Sequence, residues 1–275
     1  MTSDPNIVIS AERLIQAAAA LEPCAPIRTI LPPGDLDAAY AVQALVTQAA
    51  LKSGRRLVGR KIGATSAAMR RQLGVVEPNY GVLFADMSRY ESEEISMANL
   101  MLPTIEAEVA FIIGRDLNEP QITLADMLLA IEFALPSIEI CTSRFRNRDF
   151  DLVDAIADNA CAGLYVLGSK PVRLSDFDVR LCGVVMERAG EPVSVGAGAA
   201  SMGNPVNAAL WLARKMAEVG LPLKTGDVIL SGALGPMVAV GSGESFEVRI
   251  NGLGTVSAVF SDDYGLPPGI SRDAA

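Results

Sequence analysis

The sequence from Pro103 to Gly114 reads Pro103-Thr-Ile-Glu-Ala-Glu-Val-Ala-Phe-Ile-Ile-Gly114, an apolar segment that contains two glutamates. In a strand, successive side chains point to opposite faces, so Glu106 and Glu108 project together, about 7 Å apart along the backbone. A carboxylate placed among Ile, Val and Phe costs roughly several kcal/mol unless something neutralises it. The segment therefore predicts a buried strand whose acidic face requires a compensating charge.

A third glutamate, Glu139, has similar surroundings in Leu135-Pro-Ser-Ile-Glu-Ile-Cys141. Like charges held close together raise each other's pKa, and a bound cation relieves that repulsion. Oxygen ligands select a hard ion, Mg²⁺ or Mn²⁺, over zinc. A half-buried strand with a solvated acidic edge would explain an isolated Glu-x-Glu. The third glutamate favours a metal site formed by Glu106, Glu108 and Glu139.

The amino-acid composition limits the classes of function. The 275 residues include no histidine, which excludes Ser-His and Cys-His nucleophile systems and histidine-ligated zinc. A net charge of -9 argues against nucleic acid or an anionic membrane as a partner. The longest apolar stretch, residues 160–167, is too short to span a bilayer, and the N-terminus lacks the features of a signal peptide. The four cysteines form no Cys-x-x-Cys pair and indicate reduced thiols, so we expect a cytoplasmic protein.

Helical patterns dominate the first part of the chain, and strand patterns dominate the rest. Three early helices are predicted: from a cap at Ser10 to Ala20, from a cap at Asp35 to about Ser53, and from a cap at Ser66 to Leu73. Later helices are predicted only around 124–134 and 206–219, the second with Asn204 as N-cap and Pro205 at its first position. Strands and helices do not alternate, which argues against a doubly wound fold.

Two glycine-containing segments predict local structure near the C-terminus. Asn251-Gly252 predicts a two-residue hairpin turn between two strands. Gly196-Ala-Gly-Ala-Ala-Ser-Met-Gly203 superficially resembles a dinucleotide-binding loop, but its third glycine is displaced and no suitably spaced acidic residue follows. A flexible loop before a capped helix is the better interpretation of that segment.

Lys61 lies in a predicted strand, residues 57–63, between two glycines that permit close backbone approach. Alternation sends Arg60 and Lys61 to opposite faces, so we expect one of them to point inward. Desolvation or a nearby divalent cation would lower the pKa of a buried lysine and make it a proton-transfer group. A lysine at the solvated edge of the strand is the simpler alternative.

Three further segments contain polar groups that suit a binding site. Ser143-Arg-Phe-Arg-Asn-Arg-Asp149 is expected to be a solvated or intersubunit loop, although one of its arginines could bind a substrate carboxylate. Asp158-Asn159 has the composition of a turn that could border a pocket. In Ser231-Gly-Ala-Leu-Gly-Pro236, the amides of Gly232 and Ala233 could hold a carboxylate, or the segment could be only a bulge.

A set of motifs occurs together along the chain: Gly59-Arg-Lys-Ile-Gly-Ala-Thr-Ser66, Gln72-Leu-Gly-Val75, Tyr80-Gly-Val-Leu-Phe-Ala-Asp-Met87, Ile105-Glu-Ala-Glu-Val-Ala-Phe111, Leu135-Pro-Ser-Ile-Glu-Ile140, Ala157-Asp-Asn-Ala160 and Ser231-Gly-Ala-Leu-Gly-Pro-Met-Val-Ala-Val240. Together they resemble the 2-keto-4-pentenoate hydratases, which belong to the fumarylacetoacetate hydrolase superfamily and act in bacterial meta-cleavage of aromatic compounds. The resemblance extends from about residue 10 to Ser261. It implies an α+β fold, with a helical N-terminal part (1–75), a metal-binding mixed β-roll (76–265) and a loose tail (266–275).

The resemblance also implies a chemistry. It implies Mg²⁺ or Mn²⁺ held by Glu106, Glu108 and Glu139, with Lys61 as the proton-transfer residue. It implies a small 2-hydroxydienoate substrate, for which Asn79, Asn159, Gly232 and Ala233 are the candidate binding residues. A homo-oligomer is expected, and a complex with the downstream aldolase or with a decarboxylase is a further possibility.

Two departures refine these expectations. Carbon–carbon hydrolases of the superfamily use a histidine-activated water, which this chain lacks, so a hydratase or a 4-oxalocrotonate (2-oxohex-3-enedioate) decarboxylase remains. A non-catalytic subunit of a hydratase or decarboxylase complex is the third alternative. Hydratases often have Asp where this chain has Asn79, and an asparagine can orient water or a carbonyl but cannot act as a base.

Overall fold

The computed structural model describes residues 4–119 and 121–263 as two β-sheets with helices packed around them. The helices are α1 (Pro5–Ala20), α2 (Leu36–Lys52), α3 (Ala67–Leu73), α4 (Leu124–Ala130), α5 (Leu152–Ala157) and α6 (Pro205–Glu218). The strands are β1 (Leu57–Gly63), β2 (Asn79–Phe84), β3 (Ser88–Arg89), β4 (Glu94–Ile95), β5 (Thr104–Ile113), β6 (Ile131–Cys141), β7 (Ala162–Leu167), β8 (Gly183–Arg188), β9 (Glu191–Ala197), β10 (Val228–Leu230), β11 (Val238–Ala239), β12 (Ser245–Ile250) and β13 (Gly254–Phe260).

Both sheets are mixed. The larger sheet has the order β2-β1-β10-β5-β6-β7-β3, with β11 also paired to β5. The smaller sheet has the order β4-β13-β12-β8-β9. Strands β1 and β10 run parallel, whereas β10, β5, β6 and β7 pair antiparallel in sequence. Helices plus mixed sheets confirm the predicted α+β class.

Three apolar clusters hold these layers together, and one of them is formed largely by strands of the larger sheet. The main cluster joins the two sheets to α6 and includes Phe111, Ile138, Leu212 and Phe246, each almost wholly buried. A second cluster packs α1 and α2 against α5. The N-terminal helices are therefore attached to the segment between β6 and β7, which also contributes to the site described below.

Several predicted helix boundaries are confirmed because their signals are local. Asp35 accepts a hydrogen bond from the Ala38 amide and caps α2, and Ser66 caps α3 in the same way. Asn204 caps α6, with Pro205 as the first helical residue. The four cysteines are free thiols in this structure, as expected. None of the helices in the described residues is long and apolar enough to cross a membrane.

Other local predictions are wrong. Helix α1 begins at Pro5, capped by Asp4, and not at Ser10, whose buried side chain lies inside the helix. Helix α4 ends at Ala130 because residues 131–134 pair with β5 at the start of β6. The turn between β12 and β13 has three residues, since Ile250 pairs with Gly254. The predicted tail at 266–275 lies outside the described residues.

The segment 196–203 is not the flexible loop that was predicted. Gly196 and Ala197 belong to β9, and a short 3₁₀ turn follows at Gly198–Ala200. A Cβ at Gly196 would lie 1.8 Å from the carbonyl oxygen of Leu234, so only glycine allows this backbone contact. Gly196 thus allows close packing between β9 and the segment after β10, and Gly198 allows a similar approach to the carbonyl oxygen of Val179.

Candidate metal centre and adjoining cavity

The pairing of β5 with β6 brings the three predicted glutamates together. Glu106 lies directly opposite Glu139 in this antiparallel register, and Glu108 lies opposite Ser137. Residues that face each other across antiparallel strands project on the same side of the sheet. Strand alternation adds Glu108 to that side. The two sequence segments therefore form one acidic cluster.

Burial makes this cluster of carboxylates suited to bind a cation. The side chains of Glu108 and Glu139 are almost completely inaccessible to solvent. Glu108 accepts a 2.6 Å hydrogen bond from the Gly232 amide through Oε2. Within the described part of the chain, Glu108 Oε1 and Glu139 Oε2 have no hydrogen-bond donor, and Glu139 Oε1 has only an ion-pair contact with Lys61. Buried carboxylate oxygens without donors are unfavourable alone and suited to a hard divalent ion.

The same crowding shifts the pKa values of the carboxyl groups. Burial, followed by the charge of Glu139, raises the pKa of Glu106 to about 7. Burial and the charges of Glu139 and Glu106 raise the pKa of Glu108 well above its usual value. Without a cation the cluster therefore retains protons near neutral pH, and a bound cation would displace them.

Cys141 joins this cluster, and the sequence interpretation missed it as a site residue. A ligand atom from each of Glu106, Glu139 and Cys141 lies within 4.8 Å of the others. Burial, and then the Glu139 charge, raise the pKa of the Cys141 thiol well above its usual value. A protonated thiol is a poor ligand for a hard ion, so the carboxylates remain the principal candidates. The available signal was strand alternation, because Cys141 follows Glu139 by two positions.

Lys61 reaches this cluster from β1. Its Nζ lies 3.2 Å from Glu139 Oε1 and donates a 3.1 Å hydrogen bond to the carbonyl oxygen of Ala160. Burial would lower the pKa of Lys61, but Glu139 and the weaker contributions of nearby acidic groups outweigh it, so the pKa is raised. The direction is opposite to the one expected from desolvation, because the metal-free carboxylates dominate.

Arg60 shows that the expectation of a single inward side chain was wrong. Both Arg60 and Lys61 are buried, since packing covers both faces of β1. The Arg60 guanidinium donates to the carbonyl oxygen of Gly59, and burial lowers its pKa. Only Lys61 lies on the side of the acidic cluster.

A cavity of about 580 Å³ opens beside Glu106. The end of β1 and the residues after it form one wall, β9 forms another, and residues 233–237 form a third. The lining is mainly apolar and backbone, and Glu106 is its one charged residue in the described ranges. Such a cavity suits a small organic acid whose carboxylate end lies at the acidic cluster once a cation is bound there.

The four predicted substrate-binding residues have different environments in the structure. Ala233 lines the cavity, whereas the amide of Gly232 is bonded to Glu108. Asn79 is buried opposite Gly63 of the cavity wall, and its Oδ1 has no hydrogen-bond donor in residues 4–119 and 121–263. Asn159 is bonded through both polar atoms of its side chain to the backbone of β2. The substrate-binding roles of these residues stay predictions.

The arginine-containing loop has two different environments. Arg144 has only 11% of its side chain exposed and forms an ion pair with Asp158, so the expectation of a solvated loop is wrong for this residue. Arg146 is exposed. Arg148 donates a 2.6 Å hydrogen bond to the carbonyl oxygen of Leu102 and lies 3.8 Å from the sulfur of Met237, which lines the cavity.

Comparison with known proteins gives relatives along nearly the whole chain. Residues 64–261 match the family model described as fumarylacetoacetate (FAA) hydrolase C-terminal. The TodF product hydratase of Pseudomonas putida is 58% identical over 92% of this chain and 94% of its own. The 2-keto-4-pentenoate hydratase 2 of Dechloromonas aromatica is 53% identical over 95% of this chain and 100% of its own.

A solved structure is also similar. The 4-oxalocrotonate decarboxylase of Pseudomonas putida G7, complexed with magnesium and adipate, superposes with a TM-score of 0.90 at 33% identity. The alignment covers 94% of this chain and 99% of that protein. The helices and both sheets therefore correspond over almost the entire length of the two proteins.

Proposed function

The chain belongs to the fumarylacetoacetate hydrolase superfamily and, within it, to the 2-keto-4-pentenoate hydratases, and from this premise we propose that it is a metal-dependent hydro-lyase. Its substrate is 2-hydroxypenta-2,4-dienoate or a close analogue, and its product is 4-hydroxy-2-oxopentanoate. The observation that carries this proposal is the identity of 58% and 53% to proteins named as hydratases, across more than nine-tenths of the chain. The decarboxylase is a more distant relative at 33% identity.

The acidic cluster supports a divalent cation, as does the magnesium in the related decarboxylase. We propose Glu106, Glu108 and Glu139 as the residues that hold it. When bound, the ion supplies positive charge that stabilises the substrate carboxylate and the negative charge on the 2-oxygen. Mg²⁺ and Mn²⁺ both suit an all-carboxylate site.

Lys61 is the proposed proton-transfer residue, because its amine is the one cationic group at hydrogen-bonding distance from the cluster in the described residues. The proton leaves the 2-hydroxyl of the dienol and is delivered to C5, which produces the conjugated 2-oxo-3-enoate. Water then adds to this product, with the hydroxyl group on C4 and the proton on C3. Transfer requires Lys61 to approach substrate carbon within about one hydrogen-bond length.

Asn79 is the proposed residue that orients the attacking water. Its Oδ1 is buried without a hydrogen-bond donor and lies over Gly63, where an added Cβ would come within 2.3 Å of it. A free acceptor can fix a water molecule but cannot remove its proton as a carboxylate would. Ala233 in the cavity wall is the proposed contact for the substrate carboxylate, while Gly232 orients Glu108.

The test is turnover by the purified protein with Mg²⁺. Loss of dienol absorbance from 2-hydroxypenta-2,4-dienoate, formation of 4-hydroxy-2-oxopentanoate and arrest by a chelator are expected. The alternative substrate is 2-oxohex-3-enedioate. Release of CO₂ from that dicarboxylate, with no hydration of the dienoate, would support the decarboxylase. No turnover of either compound would support the non-catalytic subunit. A cytoplasmic location, a homo-oligomer and a complex with an aldolase or decarboxylase stay predictions.

A further inference from the structure

Three consecutive residues between α5 and β7 have an unusual backbone conformation. Asn159, Ala160 and Cys161 have φ angles of 55°, 51° and 60°. None is glycine, and L-residues with side chains rarely adopt this left-handed region. Such a conformation persists only where the surrounding structure holds it, and it is frequent at functional sites.

Strand β2 holds this segment on one side. The Asn159 side chain accepts a 2.7 Å hydrogen bond from the Val82 amide and donates a 2.9 Å bond to the Val82 carbonyl. It therefore satisfies both backbone groups of one residue in β2. Gly81 permits the contact, because a Cβ there would lie 2.3 Å from the carbonyl oxygen of Asn159.

A largely buried ion pair holds the segment on the other side. Arg144 Nε contacts the carboxylate of Asp158, and the Arg144 amide donates a 3.0 Å hydrogen bond to the same carboxylate. A second guanidinium nitrogen donates a 2.8 Å bond to the Asp158 carbonyl. Asp158 directly precedes the left-handed residues, and its carbonyl also accepts a bond from the Cys161 amide.

The segment directs one backbone group at the proposed proton-transfer residue. The carbonyl of Ala160, its central residue, accepts the 3.1 Å hydrogen bond from Lys61 Nζ. Gly81 is the direct cross-strand partner of Lys61 and has no side chain, so the segment can pack against the backbone next to the lysine. The Lys61 amine also contacts Glu139, but Glu139 is a proposed metal ligand. The Ala160 carbonyl is therefore the acceptor that remains for Lys61 when a cation is bound.

We propose that Asn159 is a positioning residue for Lys61. Together with Gly81 and the Arg144–Asp158 pair, it holds the Ala160 carbonyl at the distance and direction that orient the lysine amine. The proposal rests on the assignment of Lys61 as the proton-transfer residue. It assigns Asn159 a role through Lys61 in place of a direct contact with substrate.

A double-mutant cycle tests this role. Asn159→Ala should lower kcat by about 10- to 100-fold, the scale of a small misplacement of a reacting group, with KM and metal affinity changed by less than about threefold. Lys61→Ala/Asn159→Ala should be no slower than Lys61→Ala alone, because a positioning residue has nothing left to position. Multiplicative losses, or a rise in KM alone, would show a direct substrate contact and overturn the proposal.

Two further variants distinguish the positioning role of Asn159 from a general loss of structure. Gly81→Ala leaves every side chain of the segment intact and should reproduce the fall in kcat, because its Cβ displaces the Asn159 carbonyl. The matched control is Asn118→Ala, which removes a hydrogen-bonded asparagine at the protein surface and should leave kcat unchanged. A normal kcat in folded Gly81→Ala would contradict the proposed arrangement.

A measurement without substrate separates this inference from the proposed function. The ¹⁵N signal of the Lys61 ammonium group, assigned by its absence in Lys61→Ala, should shift or broaden in Asn159→Ala and stay unchanged in Asn118→Ala. If the wild-type protein hydrates no dienoate, the proposed function fails, and this signal still reports whether Asn159 positions Lys61. An unchanged signal in Asn159→Ala would overturn the positioning role.

Discussion

Replacing Glu106 with glutamine should stabilise the metal-free protein while it weakens metal binding. In the absence of a cation, the pKa of Glu106 is about 7 against an ordinary value of 4.5. A carboxyl group whose pKa is raised by folding lowers the free energy of unfolding once the pH exceeds its pKa in the unfolded chain. The loss reaches its full size when the pH exceeds its pKa in the folded protein. The difference of about 2.5 units corresponds to roughly 3 kcal/mol. Since Glu106 faces the cavity and is partly screened by water, we expect Glu106→Gln to gain about 1–3 kcal/mol near pH 8 and nothing below pH 4.

The assay is urea unfolding in a chelator and in excess Mg²⁺. The wild-type protein should gain about 2.7 kcal/mol from Mg²⁺ at 100 times its Kd, and Glu106→Gln should gain much less. Glu191→Gln, which changes an exposed glutamate at the start of β9, should behave as wild type in both conditions. If Glu106→Gln is less stable than wild type in chelator, or gains as much from Mg²⁺, then Glu106 is not part of a repulsive ligand cluster.

The remaining predictions concern individual side chains around this cluster. Lys61→Ala should reduce turnover by about 10² or more at nearly unchanged metal affinity, whereas folded Arg60→Ala should retain turnover. If steady-state kinetics show the reverse order, the proton-transfer residue lies on the Arg60 face of β1. Asn79→Asp should retain hydration and Asn79→Leu should abolish it, as measured by product analysis; a normal yield from the leucine variant would exclude water placement by this residue. Cys141→Ser should bind Mg²⁺ within about threefold of wild type by calorimetry, because a hard ion gains little from sulfur; a loss above about tenfold would make Cys141 a ligand.

Local sequence signals predicted the features that depend on a few neighbouring residues. The caps of α2, α3 and α6 follow from single side chains that bond the next turn of backbone. The shared face of Glu106 and Glu108 follows from the two-residue period of a strand. The family and the α+β class followed from motifs along the whole chain, and the matches to the hydratases confirm both.

The tertiary structure decided which of these groups meet. The β5–β6 register places Glu106 opposite Glu139, and the curl of the larger sheet brings Lys61 to the same cluster. Strand alternation places Cys141 on the face of Glu139, but only the tertiary structure shows that it also lies near Glu106. The bonding of Asn159 to β2 could not be predicted from local patterns. Periodicity determines which way a side chain points along its own strand. Register and sheet curvature determine what it contacts, and these arise from packing between residues far apart in the chain.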